Sequence, residues 1–221
     1  MFSKEVTEMI SFGLLETLYM TLTATALAYV IGLPLGVALV VSEGSDSSFV
    51  KGINTILGIL VNLLRSVPFL ILLVALIPFT RLVVGTSIGS TATIVPLVIA
   101  SAPFIARLVE SSIKEVDRGV IEAAQCMGAP MSKIIYKVML PEAKPSLIVG
   151  AAIAVTTILS YSALAGFVGG GGLGDIAIRY GYYRYQKDIM LITVALLVVI
   201  VQILQEIGMK VARIGDRRIN Q

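Results

Sequence analysis

The sequence of 221 residues is 57% hydrophobic and 14% charged, with a mean hydropathy of +0.93, a composition that excludes a soluble globular domain and describes an integral membrane protein. A net charge of +3 and a pI near 9.0 would also fit a nucleic-acid binder, but the basic residues cluster at the ends of apolar segments, where anionic lipid is the simpler partner and nucleic acid is not expected. With no histidine and a single cysteine, the chain offers no imidazole metal site, disulfide or Ser-His-Asp or Cys-His catalytic group, and no lysine is followed by Ser or Thr as a nucleotide-cradling phosphate loop requires.

Residues 1–13 make a poor cleavable leader, because Glu5 and Glu8 outnumber Lys4, and they read as an external segment. The apolar run 14–41 is long enough to cross about 30 Å of hydrocarbon with tilt and is the first expected span. Gly32, Pro34 and Gly36 are expected to kink or thin it. Glu16 reads as a boundary carboxylate near a helix N-terminus rather than a proton relay. A polar loop, 42–51, leads to a second span over 53–79 that carries Arg65 well inside its apolar limits. A central arginine costs about 2.5 to 3.5 kcal/mol on insertion scales, so Arg65 either snorkels to one surface or lines a solute path. Residues 78–89 read as a turn, and the third span follows over 90–109, with Arg107 and Glu110 spaced to pair at its end.

The longest polar interruption runs from Asp117 to Pro145. Asp117 can cap a short helix in which Val120, Ala124 and Met127 fall at i, i+4 and i+7, and Gly128, Ala129 and Pro130 end it. Ala123 and Ala124 are small enough to let a partner's backbone approach. Cys126 reads as a small, semi-buried residue rather than a redox switch. A second helix from Pro130 puts Ile134, Ile135, Val138 and Met139 on one face, holds Lys133 and Lys137 toward lipid headgroups, and stops at Pro141. The bland alternative is an amphipathic linker.

The fourth span is expected over 147–168. Its Thr156 and Thr157 suit backbone hydrogen bonds one turn back, whereas Tyr161, with Ser160 and Ser162, is the best candidate for a solute path. The glycines from Gly169 to Gly174 read as an external loop or a tight re-entrant turn. The tyrosines of 175–188 form an interfacial belt or a docking face. The fifth span covers 189–207, and 210–221 is a basic cytoplasmic tail. Eleven Lys and Arg residues, among them Lys133, Lys137, Arg217 and Arg218, collect on one side and five on the other, which makes the first side cytoplasmic and puts the N-terminus outside. The expected fold is thus all-α, with five transmembrane helices and a cytoplasmic helix between spans three and four.

The Glu122-Ala123-Ala124 run, Gly128 and the Leu140-Pro141 pair resemble the landmarks of the cytoplasmic loop in permease subunits of ATP-driven importers. Arg65 to Pro68 resembles the R-x-x-P stretch of amino-acid importer permeases. The strings PFTRLVVGTSIG, VPLVIASAPFIARLVE and YSALAGFVGGGGLGDIAIRYGY are similar to those of bacterial methionine importer permeases, a likeness covering nearly the whole chain. That resemblance implies an inner-membrane homodimer of the type I importer family that is not itself an enzyme. Arg118, Val120, Glu122, Ala123, Ala124, Met127 and Gly128 would couple each copy to one of two cytosolic ATPase subunits. ATP and Mg2+ would sit in those subunits, and a methionine-binding lipoprotein would dock outside. A permease for another small amino acid, a secondary carrier and a non-transporting anchor are the alternatives. The carrier would lack paired carboxylates deep in its spans, and the anchor would leave the docking loop unexplained.

Overall fold

The computed structural model describes residues 4–44 and 47–215, and among them every regular element is helical. Among the described residues five helices are long and apolar enough to cross a membrane, in agreement with the sequence, but several ends differ. The first, α1 (Lys4–Glu43), begins ten residues earlier than expected, so 4–13 extend the helix rather than precede it. Pro34 lies inside α1 without ending it.

The second expected span is not continuous. Helix α2 (Ser48–Ser66) stops ahead of Pro68, which has no N–H to donate and forces its predecessor toward extended geometry. Two short helices follow, α3 (Phe69–Ala75) and α4 (Ile77–Val84), the latter closed by Gly85 at φ 83°. The segment read as a turn over 78–89 is therefore helical in its first half. Arg65 accordingly sits in the last turn of α2, beside the helix break at Pro68, and not in the middle of a helix.

Helix α5 (Ser90–Lys114) leads through Asp117 to α6 (Arg118–Cys126) and then α7 (Met131–Ile134). Pro141 does not end this run as expected. A π-helical turn at Ile135–Met139 changes the hydrogen-bond register just before the proline, where an α-helical proline ring would meet the carbonyl four residues back, and α8 (Leu140–Leu164) continues from it. The second short helix is not set apart from the fourth span: Met131 to Val168 is one helical run, whose first turns carry exposed Lys133 and Lys137. A 3-10 turn (Ala165–Val168) and a glycine segment precede α9 (Gly172–Ile176), which runs into a second π turn (Ala177–Tyr182). The stretch 175–188 is largely helical, with Tyr182, Tyr183 and Tyr185 exposed. Helix α10 (Lys187–Gly215) incorporates Lys210 and Arg213 of the expected tail; Arg217 and Arg218 lie outside the described residues.

The chain divides into two compact units. One comprises the described residues of Met1–Ala28, Val67–Ser101 and Ala154–Gln205. Its core gathers Leu159, Leu173 and Ile200, with Leu14, Leu18 and Leu197 packed around them. Here the glycine segment is a tight turn. Gly169, Gly171 and Gly172 hold φ of 76°, 81° and 75°, a region costly for residues bearing a Cβ. Side chains of α1 hold the turn: Glu16 Oε2 accepts from the Gly172 N–H at 2.8 Å, and Thr17 Oγ1 accepts from the Leu173 N–H at 2.8 Å. Glu16 does serve a helix N-terminus, but that of α9 rather than of its own helix. Thr17 is buried and donates in turn to the Gly13 carbonyl at 2.9 Å. Thr17→Val strands the buried Leu173 N–H, which is expected to cost about 1–3 kcal/mol and to lower the melting temperature of the purified protein in a thermal scan.

The other unit comprises the described residues of Tyr29–Ser66, Ala102–Ile153 and Glu206–Gln221. Gly32 and Gly36, expected to kink α1, instead let it approach α5. A Cβ on Gly32 would lie 2.8 Å from the Ala102 carbonyl oxygen, and one on Gly36 would lie 2.5 Å from that of Ala106. This is the small-residue spacing that brings membrane helices into backbone contact. The expected Arg107–Glu110 pair forms at 2.6 Å.

Candidate functional site

The short helix α6 lies in the second unit between the third and fourth long helices. Asp117 caps it as expected, its Oδ1 accepting from the Gly119 N–H at 2.6 Å. The backbone turns at Gly128, whose φ of 75° follows a C-terminal turn closed by its N–H to the Gln125 carbonyl at 2.9 Å. Pro130 then caps α7 in extended geometry. The glycine hinge and its flanking helices therefore stand where the residue pattern put them.

The faces of α6 differ from the expected ones. Ala124 is 5% exposed, whereas Val120 and Met127 are 44% and 80% exposed, so the three do not form one inward stripe. The outward stripe is Val120, Ala123 and Met127, at i, i+3 and i+7, flanked by exposed Glu122 and Cys126. Cys126 is exposed, not semi-buried. Among the described residues of the second unit nothing covers the apolar stripe, and its small central Ala123 leaves room for close approach by another backbone.

The residues expected to line a path diverge. Tyr161 stacks on Phe69 with ring centroids 4.5 Å apart and planes 6° from parallel, so α8 is held against the start of α3. Ser160 is exposed, its hydroxyl donated to the Thr156 carbonyl at 3.0 Å. Ser162 is buried and donates to the Leu159 carbonyl at 2.7 Å, which removes it from any surface that Ser160 and Tyr161 present. Consecutive helical residues point about 100° apart, and three in a row cannot share one lining. Arg65 belongs to the second unit, with its guanidinium 6.0 Å from the centre of the Phe104 ring at the C-terminal end of α2, a favourable place for a cation. On the first unit, Asp175 pairs with Arg179 at 3.0 Å. Burial holds its carboxyl above the ordinary value despite that partner. No cluster of His, Cys, Asp and Glu among the described residues could hold a metal ion.

A model of the binding-protein-dependent transport system inner membrane component family matches residues 28–219. The chain belongs to this family. Among its relatives, the probable D-methionine transport system permease protein MetI of Vibrio cholerae is 52% identical over 203 residues, 92% of this chain and 90% of that protein. The methionine import system permease protein MetP of Bacillus subtilis is 45% identical over 168 residues, 76% of each chain. A chain of the MetNI methionine ABC transporter, solved in inward-facing conformations, matches with a TM-score of 0.95 and 44% identity, covering 98% of this chain and 100% of that one. A chain of an amino acid ABC transporter crystallised with histidines, 23% identical with a TM-score of 0.78, shares the fold.

Within this family member, sequence reasoning missed the role of Glu16 and Thr17 in holding the glycine turn. The turn's positive-φ glycines were visible, but their partners lie 156 positions away. It also missed Phe69 as the ring that receives Tyr161. Tyr161→Ala, which removes ring and hydroxyl together, is expected to alter uptake more than assembly, and Tyr161→Phe, which retains the stack, isolates the hydroxyl's contribution; initial-rate uptake of the two variants separates these effects.

Proposed function

We propose that this chain is the permease subunit of an ATP-driven importer and provides the route by which methionine crosses the inner membrane. The observation that carries this reading is the full-length match, 44% identical at a TM-score of 0.95, to a chain of a methionine ABC transporter. Two copies would form the channel, each holding one cytosolic ATPase subunit against α6, while a methionine-binding lipoprotein delivers solute from outside. The excess of Lys and Arg on the α6 side supports a cytoplasmic α6 and C-terminus and an external N-terminus. ATP and Mg2+ would be bound by the ATPase.

In this reading, nucleotide binding closes the ATPase pair and carries α6 with it as a rigid body. The spans pivot to open the outer gate, and hydrolysis resets them. Arg118, Val120, Glu122, Ala123, Ala124, Met127 and Gly128 form the lever: the outward stripe grips, buried Ala124 seats the helix on its own unit, and Gly128 sets its angle. The lever can shift the equilibrium only if its contacts differ between the two states. Tyr161 and Ser160 remain the proposed path residues of the first unit, and Arg65, at the end of α2, remains the proposed path residue of the second.

Reconstitution of the chain in liposomes with its ATPase and binding protein tests the function. ATP-dependent accumulation of radiolabelled methionine is expected. Accumulation without ATPase, or accumulation of a different amino acid that unlabelled methionine fails to compete, rejects the reading.

A further inference from the structure

The second unit holds a charged cluster that the proposed lever does not include. Glu110 on α5 is 8% exposed and accepts from two cations, Arg107 Nη1 at 2.6 Å and Lys114 Nζ at 2.8 Å. Each cation also reaches another helix. Lys114 Nζ lies 2.6 Å from Glu43 Oε2 at the end of α1. Arg107 Nη2 donates to the Gly58 carbonyl at 3.2 Å and to Asn62 Oδ1 at 3.0 Å, both on α2. One carboxylate thereby joins three helices, and the chain enters α6 within a few residues of Lys114.

This cluster is poorly suited to be a mere stabiliser. Glu110 and Arg107 are largely buried, and burying such charges costs several kcal/mol per ion before pairing repays it. Lys114 and Glu43 are about half exposed, where an ion pair contributes about 1 kcal/mol or less. Arg107 Nε is buried with no hydrogen-bond partner among the described residues, so they leave one of the cluster's own donors unsatisfied. What an ionic cluster supplies and an apolar patch does not is register, since its directional bonds are met in one arrangement of the helices and broken in another. It also adjoins the lever. An open cleft of about 570 Å³ is lined by Glu43, Ile113 and Lys114 together with Arg118, Ile121 and Glu122 of α6. The lever thus has room to tilt against the cluster without displacing packed core.

We propose that Glu110, with Arg107, Lys114 and Glu43, is a positioning strut that transmits movement of α6 to α1 and α2. The proposal rests on the reading of α6 as an ATPase-coupling lever. Glu110 touches no solute; it acts through Lys114 and Arg107, and the strut fails if its central charge is lost.

The test uses the complete complex in liposomes and reads solute imported per ATP hydrolysed together with the melting temperature of the detergent-purified complex. Glu110→Gln and Lys114→Gln are each expected to lower the import ratio about fivefold to tenfold, within the range of ordinary coupling energies, while hydrolysis stays within about twofold. Lys114→Arg retains the charge and should restore the ratio. Glu43→Gln combined with Lys114→Gln should be no worse than Lys114→Gln alone, because the two act through one bond. An unchanged ratio in an assembled Glu110→Gln complex overturns the strut. So does a fall in uptake that only tracks a lower melting temperature and is not restored by Lys114→Arg. Gly128→Pro, measured alongside, separates the two layers: if it uncouples and Glu110→Gln does not, the strut is wrong and the lever stands, whereas if neither uncouples, the lever reading itself fails.

Discussion

Gly128→Pro is expected to leave the protein inserted and bound to its ATPase while cutting ATP-driven methionine uptake by about tenfold or more, a loss within the span of typical coupling energies. Gly128 has φ 75°, and proline is locked near −65°, so the native bend is closed to it. Proline also removes the N–H that Gly128 gives to the Gln125 carbonyl at 2.9 Å, which unravels the last turn of α6 next to exposed Met127. The lever would then leave its seat at an altered angle. A Cβ at this position meets nothing within 4 Å, so the effect is one of backbone geometry and not of crowding. Gly128→Asn, whose side chain tolerates the left-handed region, is expected to retain most of the uptake. Equal losses in the two variants would show that the glycine's small size, not its backbone freedom, is what matters. Glu122→Arg tests the grip itself: it reverses the charge of an exposed side chain, and is expected to leave insertion intact and to uncouple hydrolysis from uptake.

The second large effect is expected from Gly36→Leu. Already at its first carbon, a side chain there would lie 2.5 Å from the Ala106 carbonyl oxygen and 2.6 Å from Val109 Cβ. Neither neighbour is the free end of a flexible chain, so α1 and α5 must separate. Overpacking of this kind commonly costs about 1–3 kcal/mol and more where backbone is in the way, enough to deplete a marginally stable fold. Loss of full-length protein from the membrane fraction, by roughly tenfold on that scale, is the expected result. Gly52→Leu is the control: a Cβ there meets nothing within 4 Å, and the amount of protein should be unaltered. Normal accumulation of both variants would mean that the close approach of α1 and α5 is dispensable.

Much of the molecule was legible in the chain because the bilayer imposes a strong rule. Long apolar segments must be helices, and all five were visible. The cap at Asp117 and the hinge at Gly128 were legible for a different reason: both depend on local stereochemistry that one or two residue types supply. What stayed hidden was mostly set by partners far along the chain. Hydropathy sums made 53–79 a single span, although the missing N–H and the ring of Pro68 split it, and so placed Arg65 in the middle of a helix whose last turn it occupies. Pro141 misled in the opposite direction, since the π turn before it absorbs what would otherwise end a helix. Gly32 and Gly36 looked like defects in α1 and proved to be contact points with α5. On α6, periodicity identified an amphipathic helix but grouped Ala124 with Val120 and Met127, because apolar character alone does not say which residue faces the protein and which a partner. The path residues were the least legible, as hydroxyl-bearing side chains spend their hydrogen bonds on the nearest carbonyl wherever they point.

Cross-linking from α6 tests most directly whether this helix is the handle by which a separate motor drives the membrane helices. In a complex carrying Cys126→Ser, a cysteine placed by Met127→Cys on the exposed stripe should form an adduct with the ATPase subunit, in a yield that changes between nucleotide-free and ATP-bound states. An intact, transport-active complex in which that position reacts only with reagents applied from outside the cell, or never joins the ATPase in either state, would contradict it.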